Sequence, residues 1–297
     1  MSNDSTSASS SAAAHSRSLQ IVLCTVLATV AGYLRWRCAL GEFWLDEVWT
    51  WDICQQMTWP GGLFYQLREE NNHYLNTLWI WLLGREAWWG WYRLLPVLCG
   101  VGAVVLAWRL AGSRVAHSPG TEGSSDLAAG IASGLTATSY LMIHFSSEAR
   151  GYAYAVLFAA WAFSVLPSLV DTQLQNLQSG QSPTPVPGRL LLWFTLACCG
   201  GFLSQPVFLT CYGAMGIWVF LKLRRTVDSG HGMPILWSTF FPSGVFFVLL
   251  YAVDLRFAVN GGGDIYPLWQ VIIETLSLTG CGPYALGIPA LVAAGLV

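Results

Sequence analysis

Apolar residues along this chain come in long blocks, not in strict alternation. The first runs from Leu19 to about Leu40. Six more follow at about 94–111, 127–146, 151–170, 190–204, 206–223 and 234–253, and a last apolar stretch starts near Tyr284 and reaches Val297. A helix needs about 20 apolar residues to cross a bilayer. A crossing segment must also satisfy its backbone internally, which favours helix. The pattern therefore predicts an all-α integral membrane protein with about seven or eight transmembrane helices.

The stretches between the blocks differ from one another. Residues 1–18 are rich in Ser and Ala, lack a periodic apolar pattern, and read as a disordered cytoplasmic tail. That start is too long and too acidic for a signal peptide, so the first block reads as a retained span. Residues 41–92 hold Trp44, Trp49, Trp51, Trp59, Trp79, Trp81, Trp88, Trp89 and Trp91. The longest apolar run in this insert, Leu78 to Leu83, is too short to cross. Trp prefers the headgroup level. The insert is thus predicted as short interfacial helices on the membrane face, with Trp79, Trp81 and Leu82 against lipid or the span bundle. An outer loop with an ordinary aromatic belt carries the same tryptophans. Pro183, Pro185 and Pro187 mark a cytoplasmic linker, and Asn260 to Asp264 reads as a flexible outer loop. Gly200 and Gly201 are expected to allow close helix packing. A chain that ends inside an apolar stretch reads as one whose C-terminus is cut short.

Composition sharpens the class. Only 10% of the 297 residues are charged against 54% hydrophobic, where a soluble domain carries roughly 25% charged. Mean hydropathy is +0.50. A net charge of −2 supplies no basic surface for a nucleic acid. These values exclude a soluble enzyme, a nucleic-acid binder and a disordered chain. The eight cysteines form no C-x-x-C and no zinc spacing. Cys38 and Cys54 are the one candidate pair outside the membrane.

Lys and Arg divide evenly between the two sides, but those assigned to the inside sit in short loops and the tail, which places the N-terminus inside. The outer face then gathers Asp46 and Glu47 in FWLDEVWTW, His73 in ENNHYLNTL, Arg93 in WYRLLP, and His144, Glu148 and Arg150 in HFSSEARGYA. Ionisable groups at membrane level are costly and tend to be functional. A carboxylate at the edge of the apolar phase becomes a better base, and an Arg at a span end can clamp an anionic headgroup. Each residue also has an ordinary reading. Adjacent acids are often merely solvated, an Arg at a span end snorkels to phosphates, and a lone His such as His144, one turn before Glu148, is more often a packed, hydrogen-bonded residue than a ligand.

The order of these motifs carries a resemblance: a first span, W-x-D-E, an interfacial insert with a His, an R-L-x-P span, then a span ending S-x-E-A-R-x-Y. It resembles the polytopic glycosyltransferases of the GT-C type. More narrowly, it resembles the dolichyl-phosphate-mannose protein mannosyltransferase and aminoarabinose transferase superfamily, in its bacterial RgtA/B/C/D-like branch, over about residues 19–210. The resemblance implies a GT-C type bundle in which 19–297 is the glycosyltransferase module and 41–92 its outer-face catalytic loop. The implied donor is a polyprenyl-phosphate-linked sugar, the acceptor a glycan, lipid or protein, and the membrane the bacterial inner membrane. The implied catalytic acid pair is Asp46 with Glu47. The donor phosphate falls to Arg93 and Arg150, and Glu148 matches a second acidic position that binds a divalent metal in some members and not in others. His73 stands where family members often carry His-Pro-Pro; here Tyr74 and Leu75 follow. The other functions compatible with the pattern are a secondary transporter and a catalytically inactive membrane scaffold.

Overall fold

A computed structural model describes residues 4–69, 72–115, 122–178, 188–226, 229–259, 267 and 269–270. The chain divides into two compact units, Met1–Ala258 and Val259–Val297. In the second, Gln270 N–H donates to the Pro267 carbonyl at 2.9 Å. Asn260 to Asp264, the prolines at 183–187 and the terminal apolar stretch lie outside the described residues.

In the first unit every regular element among the described residues is helical. These are α1 (Asp4–Ala39), α2 (Leu45–Cys54), α3 (Tyr74–Leu83), α4 (Trp89–Tyr92), α5 (Leu94–Val115), α6 (Glu122–Thr138), α7 (Tyr140–Ser146), α8 (Tyr152–Gln178), α9 (Gly188–Ser204), α10 (Phe208–Thr226) and α11 (Ser229–Val253). Short 3-10 turns lie at Pro60–Phe64 and Leu255–Phe257. Among the described residues four stretches are long and apolar enough to cross a bilayer: Ser18–Ala39, Leu94–Gly112, Tyr152–Asn176 and Gly232–Phe257. On the first of them Leu19, Ile21, Val22, Val26 and Tyr33 point outward, as they should against lipid.

Helix α1 is already helical at Asp4, where composition alone reads a tail without regular structure. Ala is the best helix former, and adding residues to an existing helix avoids the cost of nucleation. Helices α1, α5 and α6 pack around Ala31, Val104 and Ala137. Helices α8 to α11 pack around a larger core with Leu166, Phe194, Phe202, Phe208 and Val219. Gly200 and Gly201 make close packing possible there. A Cβ at Gly200 would overlap the Phe158 ring of α8, and one at Gly201 the Phe208 ring of α10. Cys38 and Cys54 are both free, Cys38 exposed and Cys54 buried, so no disulfide joins them.

The apolar block 127–146 is not one helix. It breaks at Ser139 into α6 and α7. The break strands carbonyls at the end of α6, and a cation from another helix takes them. The Arg35 guanidinium of α1, wholly buried, donates to Thr136 O at 3.0 Å, Ala137 O at 3.1 Å and Ala31 O at 3.2 Å. A cation suits a helix C-terminus, where carbonyl dipoles point outward. Gly100 of α5 leaves room for it, since a Cβ there would meet Arg35 Nε at 2.6 Å.

The insert 41–92 forms short helices, as its pattern predicts. Helix α3 has 10 residues, about 15 Å of rise against the ~30 Å of a hydrocarbon core. It stops at Gly84, whose φ of 75° a side chain would disfavour. Trp81 turns into the bundle and donates its indole N–H to Met57 O at 3.2 Å, while Leu82 faces outward. Tyr74 Oη donates to Asp254 Oδ2 at 2.6 Å, which ties the insert to the end of α11.

Candidate functional site

Helix α2 begins with two adjacent carboxylates, and successive helix positions lie about 100° apart. Starting the helix at Leu45 therefore sends Glu47 into the protein and leaves Asp46 at its edge. Glu47 is wholly buried, and both its oxygens are filled. Oε1 accepts from Arg93 Nε at 2.8 Å and from Ala149 N–H at 2.5 Å. Oε2 accepts from Arg93 Nη2 at 2.5 Å and from Trp44 N–H at 2.9 Å. The last contact is half of a capping box, and it also holds the helix start.

Arg93 is equally committed. Besides Glu47, Nη1 donates to Ala39 O at 2.8 Å and Gly41 O at 2.7 Å, and Nη2 to Glu42 O at 2.8 Å. An Arg has five N–H groups, and all of them are spent inside the protein. Phe43 and Trp89 lie against its guanidinium at 4.9 and 5.5 Å. Glu47 and Arg93, both expected at the reacting centre, thus form a knot that joins the end of α1, the start of α2 and the bend after α7.

The open groups sit beside this knot. Arg150 Nη1 lies 2.8 Å from Asp46 Oδ2, with the Asp46 side chain 44% exposed. The Arg150 guanidinium stacks over Tyr152 at 4.9 Å. A cleft of about 490 Å³ is lined by Phe43, Trp44, Arg93, Tyr140, His144 and Glu148, among others. His144 Nε2 lies 3.2 Å from Glu148 Oε1, and its ring is stacked on Tyr140 at 5.7 Å with Trp44 edge-on at 6.2 Å. Burial pushes the Glu148 carboxyl up from its ordinary value. His144 opposes the shift, the Glu47 charge adds to it, and Arg150 and Arg93 oppose it. A second cavity, about 460 Å³ between α10 and α11, is apolar and lined by residues such as Trp237, Phe241 and Val248.

The sequence candidates therefore gather at one end of the bundle, from four segments of the chain. Among the described residues no three His, Cys, Asp or Glu side chains converge as a metal-holding group. His144 and Glu148 offer two donors, short of the three or more of a protein-built transition-metal site, so no step below is routed through a metal. Arg35, which none of the motifs above includes, sets the break between α6 and α7. Its signal in the sequence is a cation one turn inside the end of an apolar block.

His73 lies behind the Asp46–Arg150 pair. It is 2% exposed, and neither ring nitrogen has a hydrogen-bond partner. Burial, then the nearby Arg150 charge, pulls its pKa from 6.5 to about 3, and the hydrogen-bonding side chain of Gln205 opposes the shift. The unfolded chain takes up this proton near pH 6.5 and the folded protein only near pH 3, so stability is intact above 6.5 and falls as pH drops below it. The slope is at most ~1.4 kcal/mol per pH unit. Thermal unfolding from about pH 7 to about pH 5 should show the wild type losing ground relative to His73→Phe; parallel curves would show that His73 does not stay neutral.

The chain matches no family model, no curated protein and no solved structure.

Proposed function

We propose that this chain is a membrane glycosyltransferase that moves a sugar from a polyprenyl-phosphate donor to an acceptor hydroxyl or amine on a glycan, lipid or protein. The observation that carries the reading is the Asp46–Arg150 pair at 2.8 Å, with the Asp46 side chain 44% exposed and with Trp44 and Glu148, each two residues away in sequence, lining a cleft large enough for a sugar. The motif order described above supports it. The helices outside the four long apolar stretches complete a bundle of about seven or eight spans. The pair faces the outer side of a bacterial inner membrane.

In this reading Arg150 receives the phosphate of the donor. A guanidinium meets a phosphate in a bidentate, charge-assisted fashion, which stabilises the negative charge that grows as the lipid phosphate leaves. Asp46 takes the proton of the acceptor as its oxygen or nitrogen attacks the anomeric carbon. The bond from that carbon to the phosphate oxygen breaks, and a single displacement inverts the anomeric centre. Glu47 and Arg93 hold the frame. With every Arg93 N–H committed, the phosphate role expected for Arg93 passes to Arg150. Glu148 and His144 form the cleft wall.

Polyprenyl-phosphate binding to the purified full chain tests the phosphate assignment. Arg150→Ala should weaken binding about ten- to a hundredfold, the value of a hydrogen-bonded charge. Arg150→Lys should recover part, because it keeps charge and loses the planar fork. Unchanged binding in Arg150→Ala rejects the assignment. Glu148→Gln asks about a metal: rescue by added divalent cation would give Glu148 a ligand role, and no rescue leaves it as the partner of His144.

A further inference from the structure

Two arginines from distant parts of the chain meet over one ring. The Arg68 guanidinium, from the insert, lies 4.7 Å from the centre of the Phe257 ring, and that of Arg256 lies 4.4 Å from it. The two charges are therefore no more than about 9 Å apart. All three side chains are exposed. Among the described residues neither arginine forms an ion pair. The charge of Arg68 acts on Asp254, but that carboxylate is buried and accepts from the Tyr74 hydroxyl at 2.6 Å. Glu69, next in the chain and exposed, pairs with neither guanidinium. A ring face attracts each cation, yet two like charges this close repel, and an anion between them reverses the sign. Snorkelling toward lipid phosphates accounts for Arg256 at the end of a span. It does not account for Arg68 coming to the same ring.

The surface that leads to this pair is apolar. Phe257 ends the apolar stretch Gly232–Phe257, so the arginines stand where that stretch gives way to polar chain. Residues four apart lie one above the other on a helix. On α11 the residues Trp237, Phe241, Val245, Leu249 and Val253 follow at that spacing, and all five point outward. The first four line the apolar cavity of about 460 Å³ beside Tyr212. The stripe ends three residues before Arg256. A free phosphate has no use for such a stripe. A bilayer lipid presents a phosphate and a hydrocarbon chain in one molecule. A headgroup that also carries an ammonium would bring a third cation to the pair, so the fit is to a headgroup of net negative charge.

We propose that Arg68 and Arg256 clamp the phosphate of an anionic phospholipid, one of whose acyl chains lies along the Trp237–Val253 stripe of α11 and in the cavity beside Tyr212. The site shares no residue with the Asp46–Arg150 pair or its cleft, and it does not depend on the glycosyltransferase reading.

Native mass spectrometry of the full chain, released from nanodiscs of phosphatidylglycerol and phosphatidylcholine in equal amounts, reads which lipid is retained. The wild type should keep phosphatidylglycerol in preference to phosphatidylcholine. Arg68→Gln with Arg256→Gln should cut that retention about ten- to a hundredfold, the loss of hydrogen bonds to a charge. Arg68→Lys with Arg256→Lys should keep part of it, because the charges stay and the planar forks go. Gly244→Leu places a side chain in the cavity and should weaken retention with the clamp intact; a Cβ there stands 3.5 Å from Tyr212 Oη, an ordinary contact. Both arginines are exposed, so the glutamine pair should melt like the wild type in uncharged detergent. Equal retention of the two lipids by the wild type, or an unchanged preference in the glutamine pair, would overturn the proposal. Displacement of phosphatidylglycerol by inorganic phosphate, or by an equal amount of polyprenyl phosphate, would give the clamp to that anion and overturn the phospholipid assignment.

Discussion

Asp46→Asn is expected to cut sugar transfer by about 10²–10⁴-fold, the usual worth of a positioned base. Asn matches Asp in shape and can still accept from Arg150, so the change removes basicity and charge with little disturbance of packing. Asp46 is 44% exposed and sits at the edge of the fold, so the variant is expected to stay folded. Donor binding should stay close to wild type, because the proposed mechanism gives the phosphate to Arg150 and not to Asp46. A fall in turnover with donor affinity kept is the signature of an interaction made only in the transition state. Wild-type turnover in Asp46→Asn, measured as product formed per donor consumed, would move the base elsewhere, with Glu148 next in line.

The second large effect is on stability. Glu47→Gln or Arg93→Met leaves one member of a buried pair without its counter-charge, which typically costs about 3–5 kcal/mol. The loss spreads further here than in an isolated pair. Glu47 also holds the Trp44 and Ala149 amides, and Arg93 holds three carbonyls at the end of α1 and in the following loop. Both variants should therefore melt well below the wild type and resist proteolysis poorly across 39–54. Transfer should fall with the folded fraction, in contrast to Asp46→Asn. Wild-type-like melting of Arg93→Met would mean that the knot is dispensable, and would return Arg93 to the substrate.

The helices were legible because the apolar blocks from 19 to 253 fall on single helices or a close pair, and among the described residues four stretches are long and apolar enough to cross a bilayer. The break at Ser139 was not, because it depends on Arg35 arriving from a helix about a hundred positions earlier in the chain. Nothing within 127–146 records that partner. The short helices of the insert were visible through an apolar run too short to cross, whereas its tryptophans fit an outer loop equally well. The site was legible as a set and not in its roles. Asp46 and Glu47 are equivalent as letters; the phase of α2 decides which is buried. Arg93 and Arg150 each stand just before a long apolar helix, and only the fold commits Arg93 to Glu47 and pairs Arg150 with Asp46. His73 could be marked as a candidate, but its lack of hydrogen-bond partners is a property of packing against Gly151 and Tyr152.

The most direct test of the proposed function reconstitutes the full chain in liposomes with a mass-tagged polyprenyl-phosphate sugar and offers hydroxyl and amine acceptors. The account predicts release of polyprenyl phosphate in step with a product of inverted anomeric configuration, abolished by Asp46→Asn and weakened by Arg150→Ala. An intact donor with every acceptor class, or a sugar lipid that crosses the bilayer uncleaved, would contradict it.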